Sequence, residues 1–195
     1  MTWNHNIHYH RILLEAVPSA ARRALDVGCG EGLLTRRLGQ SVPEVVGIDS
    51  DRTSIERARE QADGRNVSYV MGDFMSYPFE PESFDAVVSV AVLHHLDAVA
   101  GLARMRQLLR PGGVLGIVGL ARSGPADLPG NLVAAAASRL LRRGRTWHEP
   151  GSPTLWPPPE TFTGMKRLVA EELPGARFRR HLLWRYTVIW RKPGA

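Results

Sequence analysis

A single cysteine, Cys29, stands among the 195 residues, so no internal disulfide can form and no thiolate cluster is available to hold zinc. No apolar run approaches the roughly 18 residues that a membrane span requires. The opening segment, MTWNHNIHYH, is polar where a secretory signal would carry its apolar stretch. These absences lead to the expectation of a cytoplasmic protein without a membrane partner. Lysine is scarce as well, since 23 of the 25 basic residues are arginine.

What is present fits a packed globular chain. Hydrophobic residues make up 44% and charged residues 23%, a balance that excludes a disordered segment and suits one domain spanning 1–195. The net charge of +6 is unevenly placed, with residues 139–195 carrying +8 and residues 1–138 carrying −2. A basic C-terminal third can attract an anionic small molecule, a nucleic acid or an acidic carrier protein, although a bias toward arginine in composition explains it equally well.

Five short apolar runs alternate with helical stretches: RALDV at 23–27, EVVGI from Glu44, NVSYV from Asn66, DAVVSV from Asp85 and GVLGIVG from Gly113. Strands that alternate with helices predict a parallel sheet covered on both faces, an α/β doubly wound fold. The helices are expected over Glu31–Gln40, Asp51–Ala62 with Ser50 or Asp51 as N-cap, and Ala98–Leu109 before Pro111-Gly112-Gly113. After Gly119 the alternation lapses. A helix over Asn131–Arg143 and a proline-rich loop then form a segment, 120–160, that reads as an insertion. A helix over Glu160–Leu173 follows, and RFRRHLL and YTVIW lie so close together that only an antiparallel hairpin can join them. At the N-terminus, Ile12, Leu13, Leu14 and Val17 suit one face of a short edge helix within residues 1–20.

The segment most loaded with chemistry is LDVGCGEG, residues 25–32, because it lies where a strand must turn into a helix. Glycines at 28, 30 and 32 allow a tight turn and close backbone approach to a ligand, and the next helix offers free N–H groups to an anionic group. A nicotinamide dinucleotide site would need a third glycine three positions after Gly30, where this chain has Leu33. Nineteen residues after Gly30, Asp49 ends the second strand, near the spacing at which an acid accepts from ribose hydroxyls.

The pattern acid-x-Gly-x-Gly-x-Gly, with Asp26 as the acid, resembles the first motif of class I S-adenosylmethionine-dependent methyltransferases. The phrases MGDFMSYPFEPESFDAVVS, AVLHHL and LLRPGGVLGIVG follow in the order that family shows, so the resemblance covers roughly Ala24–Gly119 and is nearest to the small-molecule group with the LHHL phrase. It implies a seven-stranded Rossmann-like sheet, five strands parallel plus the C-terminal hairpin, and S-adenosylmethionine as co-substrate. It also implies that Asp73 accepts from the adenine amine, that Phe74 walls the ring, and that Cys29 is a small spacer whose backbone touches the cofactor. Asp26, Gly28, Gly30, Asp49, Ser50 and Val90 complete the implied cofactor set.

Methyl transfer from a sulfonium is an in-line displacement in which charge is neutralised, so positioning can supply most of the rate and a base is optional. If a base acts, His94 is the first candidate, because it follows the strand whose end borders the transferred methyl. The acceptor pocket is expected from residues 1–14, the LHHL region and 120–160, with Tyr9 as a lid over the methionine end and with His95, Trp147 and His148 in the pocket. Leu132, Leu155 and Trp156 are further candidates for its apolar wall. No Asn-Pro-Pro-Tyr phrase follows the fourth strand and no acid pair stands at the strand ends. A metal-free enzyme acting on a small-molecule acceptor is therefore expected, and nucleic acid is not. The rival readings are a silent S-adenosylmethionine-binding subunit and a nicotinamide oxidoreductase. Neither the acceptor atom nor the oligomeric state is legible.

Overall fold

The computed structural model describes residues 2–62, 64, 66–124, 127–147 and 155–194. In chain order the elements are β1 (Thr2–Trp3), α1 (His10–Ala16), β2 (Arg23–Val27), α2 (Leu33–Leu38), β3 (Glu44–Asp49), α3 (Arg52–Glu60), β4 (Val67–Met71) and β5 (Phe84–Val90). Then come α4 (Ala98–Leu108), β6 (Leu109–Leu120), α5 (Leu128–Arg142), β7 (Thr146–Trp147), α6 (Phe162–Glu172), β8 (Arg177–Arg180) and β9 (Arg185–Arg191).

Seven strands form the central sheet in the order β4-β3-β2-β5-β6-β9-β8. Strands β2 to β6 run parallel, while β9 pairs antiparallel with β6 and β8 antiparallel with β9. The expected α/β architecture with a C-terminal hairpin is therefore present. The chain order reverses direction beside β2, and in open parallel sheets ligands bind outside the carboxyl ends of the strands at such a switch point.

The apolar runs read as nearly continuous because both faces of each strand are buried. Leu25, Val27, Val46, Ile48, Val87, Leu115 and Ile117 face α4 and α6, where Leu102, Met105, Leu108, Met165 and Val169 meet them. The intervening Ala24, Val45, Ala86 and Val88 face α1 and α2, against Leu13, Leu34 and Leu38. By the same alternation Asp26 points to the α1–α2 side. Leu13 is fully buried, and its Cδ2 lies only 3.0 Å from where a Cβ on Gly116 would stand. That glycine lets α1 close onto β6.

Several boundaries differ from the sequence expectation for local reasons. Helix α2 starts at Leu33 rather than Glu31, because Gly32 is still left-handed at φ 74° and acts as its N-cap. Asp51 caps α3 by accepting from the Ser54 N–H at 2.8 Å, and Asp97 caps α4 by accepting from Ala100 N–H at 2.8 Å. Strand β6 begins at Leu109, not Gly113. Leu109 pairs with Phe84 and Val114 with Ala86, so Pro111-Gly112-Gly113 is an irregularity within a longer strand. A second, two-stranded sheet was not expected: β1 pairs parallel with β7, placing Trp3 opposite Trp147. Among the described residues no helix is long and apolar enough to cross a membrane.

Because Leu13 fills the seam between α1 and β6, Leu13→Ala should cost about 2–5 kcal/mol of unfolding free energy. Urea unfolding followed by circular dichroism checks this, and an unchanged midpoint would mean that α1 does not dock on the sheet.

Candidate cofactor and acceptor site

The turn from β2 into α2 is built from three left-handed glycines, with φ of 68° at Gly28, 52° at Gly30 and 74° at Gly32. Side chains seldom adopt this region. Two neighbours also occupy the space that a Cβ would need. Val92 Cγ2 would lie 2.1 Å from a Cβ on Gly28, and Tyr69 Oη would lie 2.3 Å from one on Gly32. Val92 and Tyr69 thus brace the loop from either side, and Tyr69 also donates to the Gly32 carbonyl at 3.3 Å.

Asp49 holds the loop from the third side. Its Oδ2 accepts from the Gly30 N–H at 2.8 Å and its Oδ1 from the Asp51 N–H at 2.9 Å. A carboxylate can accept about four hydrogen bonds, so each oxygen keeps a lone pair. The group is half-buried at the C-terminal end of β3, beside the exposed Ser50.

Asp26 is 1% exposed and accepts from the Thr35 hydroxyl at 2.7 Å, which ties β2 to α2 beneath the loop. Burial pushes its carboxyl up to about 7, against the Thr35 bond and with help from Asp49. Cys29 is buried, its Sγ packed where a Cβ on Gly47 would stand, and burial raises its thiol well above the ordinary range. Asp73 is exposed after β4, accepting from Met75 N–H at 3.1 Å and Ser76 hydroxyl at 2.9 Å. Phe74 behind it is buried in the main core, and Val90 is half-buried at the end of β5.

Beyond β5 the backbone is strained, with Ala91 at φ 58° and its N–H fixed on the Val118 carbonyl at 2.8 Å. A 3₁₀ turn over Leu93–His95 follows. His94 is 8% exposed, its ring lies 4.1 Å from that of the exposed His95, and its buried Nδ1 has no hydrogen-bond partner among the described residues. Burial, then the charges of His95 and Arg185, hold its imidazole down at about 4.

The N-terminal residues cover this end of the sheet. Tyr9 is buried and its hydroxyl donates to the Leu182 carbonyl. His5 meets the Ser138 hydroxyl at 2.9 Å and lies 5.2 Å from the Trp147 ring and 5.6 Å from the Trp184 ring. Trp147 is half-buried between Trp3 at 5.9 Å and the Arg142 guanidinium at 4.3 Å. Leu132 and Trp156 are each 70% exposed and Leu155 is exposed too. His148 lies outside the described residues. A cavity of about 200 Å³ opens between α5 and the β8–β9 turn, lined by Asn131, Ala134, His181 and Trp184 among others.

Sequence reasoning passed over Tyr69, Val92 and Arg185. The first two were detectable only as bulky partners for glycines. Arg185 was hidden within a generally basic C-terminal third.

Known proteins resemble this chain in sequence and in fold. A family described as "Methyltransferase domain" matches residues 25–117. An uncharacterized methyltransferase of Mycobacterium tuberculosis strain H37Rv is 36% identical over 192 residues, covering 98% of this chain and 98% of the relative. The sterol 24-C-methyltransferase of Candida albicans is 40% identical over 101 residues, which is 49% of this chain and 27% of that enzyme. Among solved structures, the Haemonchus contortus phosphoethanolamine N-methyltransferase 2, in complex with phosphomonomethylethanolamine and S-adenosylhomocysteine, superposes with a TM-score of 0.68 at 16% identity. That match covers 95% of this chain and 53% of the other. The chain belongs to the class I S-adenosylmethionine-dependent methyltransferases.

One stability property follows from the covering residues. His10, 5% exposed at the start of α1, is held down to about 3 by burial and then by Arg37, whose Nη1 lies 3.3 Å from its Nδ1. Its folded pKa is depressed below the ordinary 6.5, so the stability it allows is complete above about 6.5 and is lost as pH falls toward 3. Relative to His10→Gln, the wild type should lose roughly 1–3 kcal/mol between pH 6.5 and 4.5. Thermal melts of both proteins across that range measure it, and parallel pH profiles would contradict the assignment.

Proposed function

We propose that this methyltransferase transfers the methyl group of S-adenosylmethionine to a small-molecule acceptor, without a metal, within a single domain spanning 1–195. Residues 1–20 serve as its lid and edge helix, and 120–160 as an acceptor-specific insertion. The observation that carries this reading is the Asp49 carboxylate, which is locked by Gly30 and Asp51 yet retains acceptor capacity at the mouth of the glycine turn. Two free lone pairs suit two vicinal ribose hydroxyls. The methionine end then follows Gly28, Cys29 and Gly30 over the buried Asp26 toward Val90. The adenine lies past Ser50, toward Asp73 and Phe74. The sequence neighbourhood LHHL, residues 93–96, is consistent with the small-molecule group of this family, and the sterol and phosphoethanolamine enzymes show that small acceptors occur among proteins similar to this one.

Bound S-adenosylmethionine supplies an electrophilic methyl on a sulfonium, for which in-line geometry is the main requirement. This chain's share is to position the acceptor under the N-terminal cover and to accept a proton where the acceptor is an alcohol or a protonated amine. His94, in the turn that follows β5, is the residue proposed for that task, with Tyr9, His95 and Trp147 proposed to line the pocket. Held neutral near pH 7, its imidazole is free to accept, although a base with a pKa near 4 retains a proton weakly. Among the described residues no group of three or more His, Cys, Asp or Glu is placed to hold a metal ion.

Asp49→Ala removes a charged acceptor and loosens the Gly30 N–H, so S-adenosylhomocysteine affinity should fall by roughly ten- to a hundredfold, about 1.5–3 kcal/mol. Calorimetric titration reads this directly, and unchanged affinity would place the cofactor elsewhere. In an assay of methyl release onto an identified acceptor, EDTA should leave turnover intact. Loss restored by added divalent ion would overturn the metal-free mechanism.

A further inference from the structure

Arg185 opens β9 opposite Leu120, the last residue of β6, and so sits at the carboxyl end of the parallel strands, on the same edge of the sheet as Val90 and the turn that carries His94. It is only 9% exposed. Its Nε donates to Asn6 Oδ1 at 2.8 Å and its Nη1 to the carbonyls of Leu183 at 3.2 Å and Trp184 at 3.5 Å. All of these acceptors are neutral. The ion pairs of the described residues engage Arg11, Arg23, Arg57, Arg110, Arg167, Arg180 and Lys192, and none involves Arg185. Among the described residues, the groups recorded as feeling its charge are His5, Tyr9 and His94, none of them a carboxylate.

A buried guanidinium without an anion is costly, and an anionic ligand would offset that cost. A second orphan stands on the same edge: the buried His94 Nδ1, which has no partner among the described residues. With its proton on Nδ1, His94 is a second donor that lacks an acceptor, and its Nε2 lone pair is left for the acceptor proton.

We propose that Arg185 and His94 Nδ1 together bind an oxyanion group of the methyl acceptor, a carboxylate or a phosphate, so that the substrate is a small acid seated under the N-terminal cover. The inference rests on the proposed placement of the acceptor at the end of β5. It deepens that reading in two ways. With Nε on Asn6 and Nη1 on two carbonyls, Nη2 and the His94 Nδ1–H are the donors left for two oxyanion oxygens, which fixes the orientation of the bound molecule. An anion against Nδ1 also offsets the burial and the positive charges of His95 and Arg185 that hold the imidazole down, so substrate binding itself makes His94 a better base.

The test uses the full chain saturated with S-adenosylhomocysteine, titrated separately with sodium benzoate and inorganic phosphate at constant ionic strength set with sodium chloride. The His94 imidazole C–H and Trp184 indole N–H signals are followed by NMR, assigned with His94→Gln and Trp184→Phe. A saturable shift, with a dissociation constant on the order of millimolar, is expected for one of the two probes. Arg185→Met should weaken it at least tenfold, and Arg185→Lys should weaken it less. Saturation by benzoate identifies a carboxylate acceptor, and saturation by phosphate a phosphorylated one. Failure of both probes to move His94 in the wild type overturns the inference, as does unchanged binding in Arg185→Met. Should Arg185→Met not fold, the wild-type and Arg185→Lys titrations decide alone. S-adenosylhomocysteine affinity, measured on the same samples, separates the two readings: its absence defeats the proposed function, whereas its presence without an anion shift defeats only this inference.

Discussion

The structure hinges on the bond from the Gly30 N–H to Asp49 Oδ2. Three left-handed glycines at alternate positions between β2 and α2 form a turn that no β-strand or helix would hold by itself, and its backbone must find partners outside regular structure. The Ile48 carbonyl accepts from both Gly28 and Cys29, at 2.8 and 3.0 Å, and the next residue of the same strand, Asp49, takes Gly30. The end of β3 is thus the template on which the turn is shaped. The same carboxylate fixes the start of α3 through Asp51. One side chain therefore sets the loop, the next helix and the charge at the mouth of the turn.

Much of this was legible in the sequence because its causes are local. The apolar runs are long enough to mark strands buried on both faces, and Gly28, Gly30 and Gly32 at alternate positions signal a turn that needs left-handed backbone. Asp51 was readable as a cap from its place before a helical stretch. What escaped depends on contacts between distant residues. The pairing of Trp3 with Trp147 joins segments far apart in the chain, each contributing only two residues of strand. The bracing by Val92 and Tyr69 exists only because glycines leave room for them. Strand β6 runs through Pro111-Gly112-Gly113, a phrase that reads locally as a stop, because Phe84 supplies a partner for Leu109.

The proposed acceptor side is assembled differently from the proposed cofactor side. Its residues come from the N-terminal cover, the turn after β5, α5 and the start of β9, and aromatic and cationic groups dominate it. Tyr9 tied to Leu182, His5 among Trp3, Trp147 and Trp184, and Arg185 bonded to Asn6 together fasten the first ten residues to the hairpin. Burial keeps the imidazoles of His5 and His94 neutral, each at about 4, which limits the positive charge around Arg185. A tightly braced glycine turn on one side and a cover rich in specific contacts on the other fit the proposed division between a common cofactor site and an acceptor-specific one.

The most direct test of this account is a crystal structure of the full chain with S-adenosylhomocysteine. The account predicts both ribose hydroxyls within hydrogen-bond distance of the Asp49 carboxylate, with the Gly30 and Asp51 bonds to it preserved and the homocysteine sulfur directed toward the end of β5. A ribose bound away from Asp49, or a glycine turn that reorganises and releases that carboxylate, would contradict it.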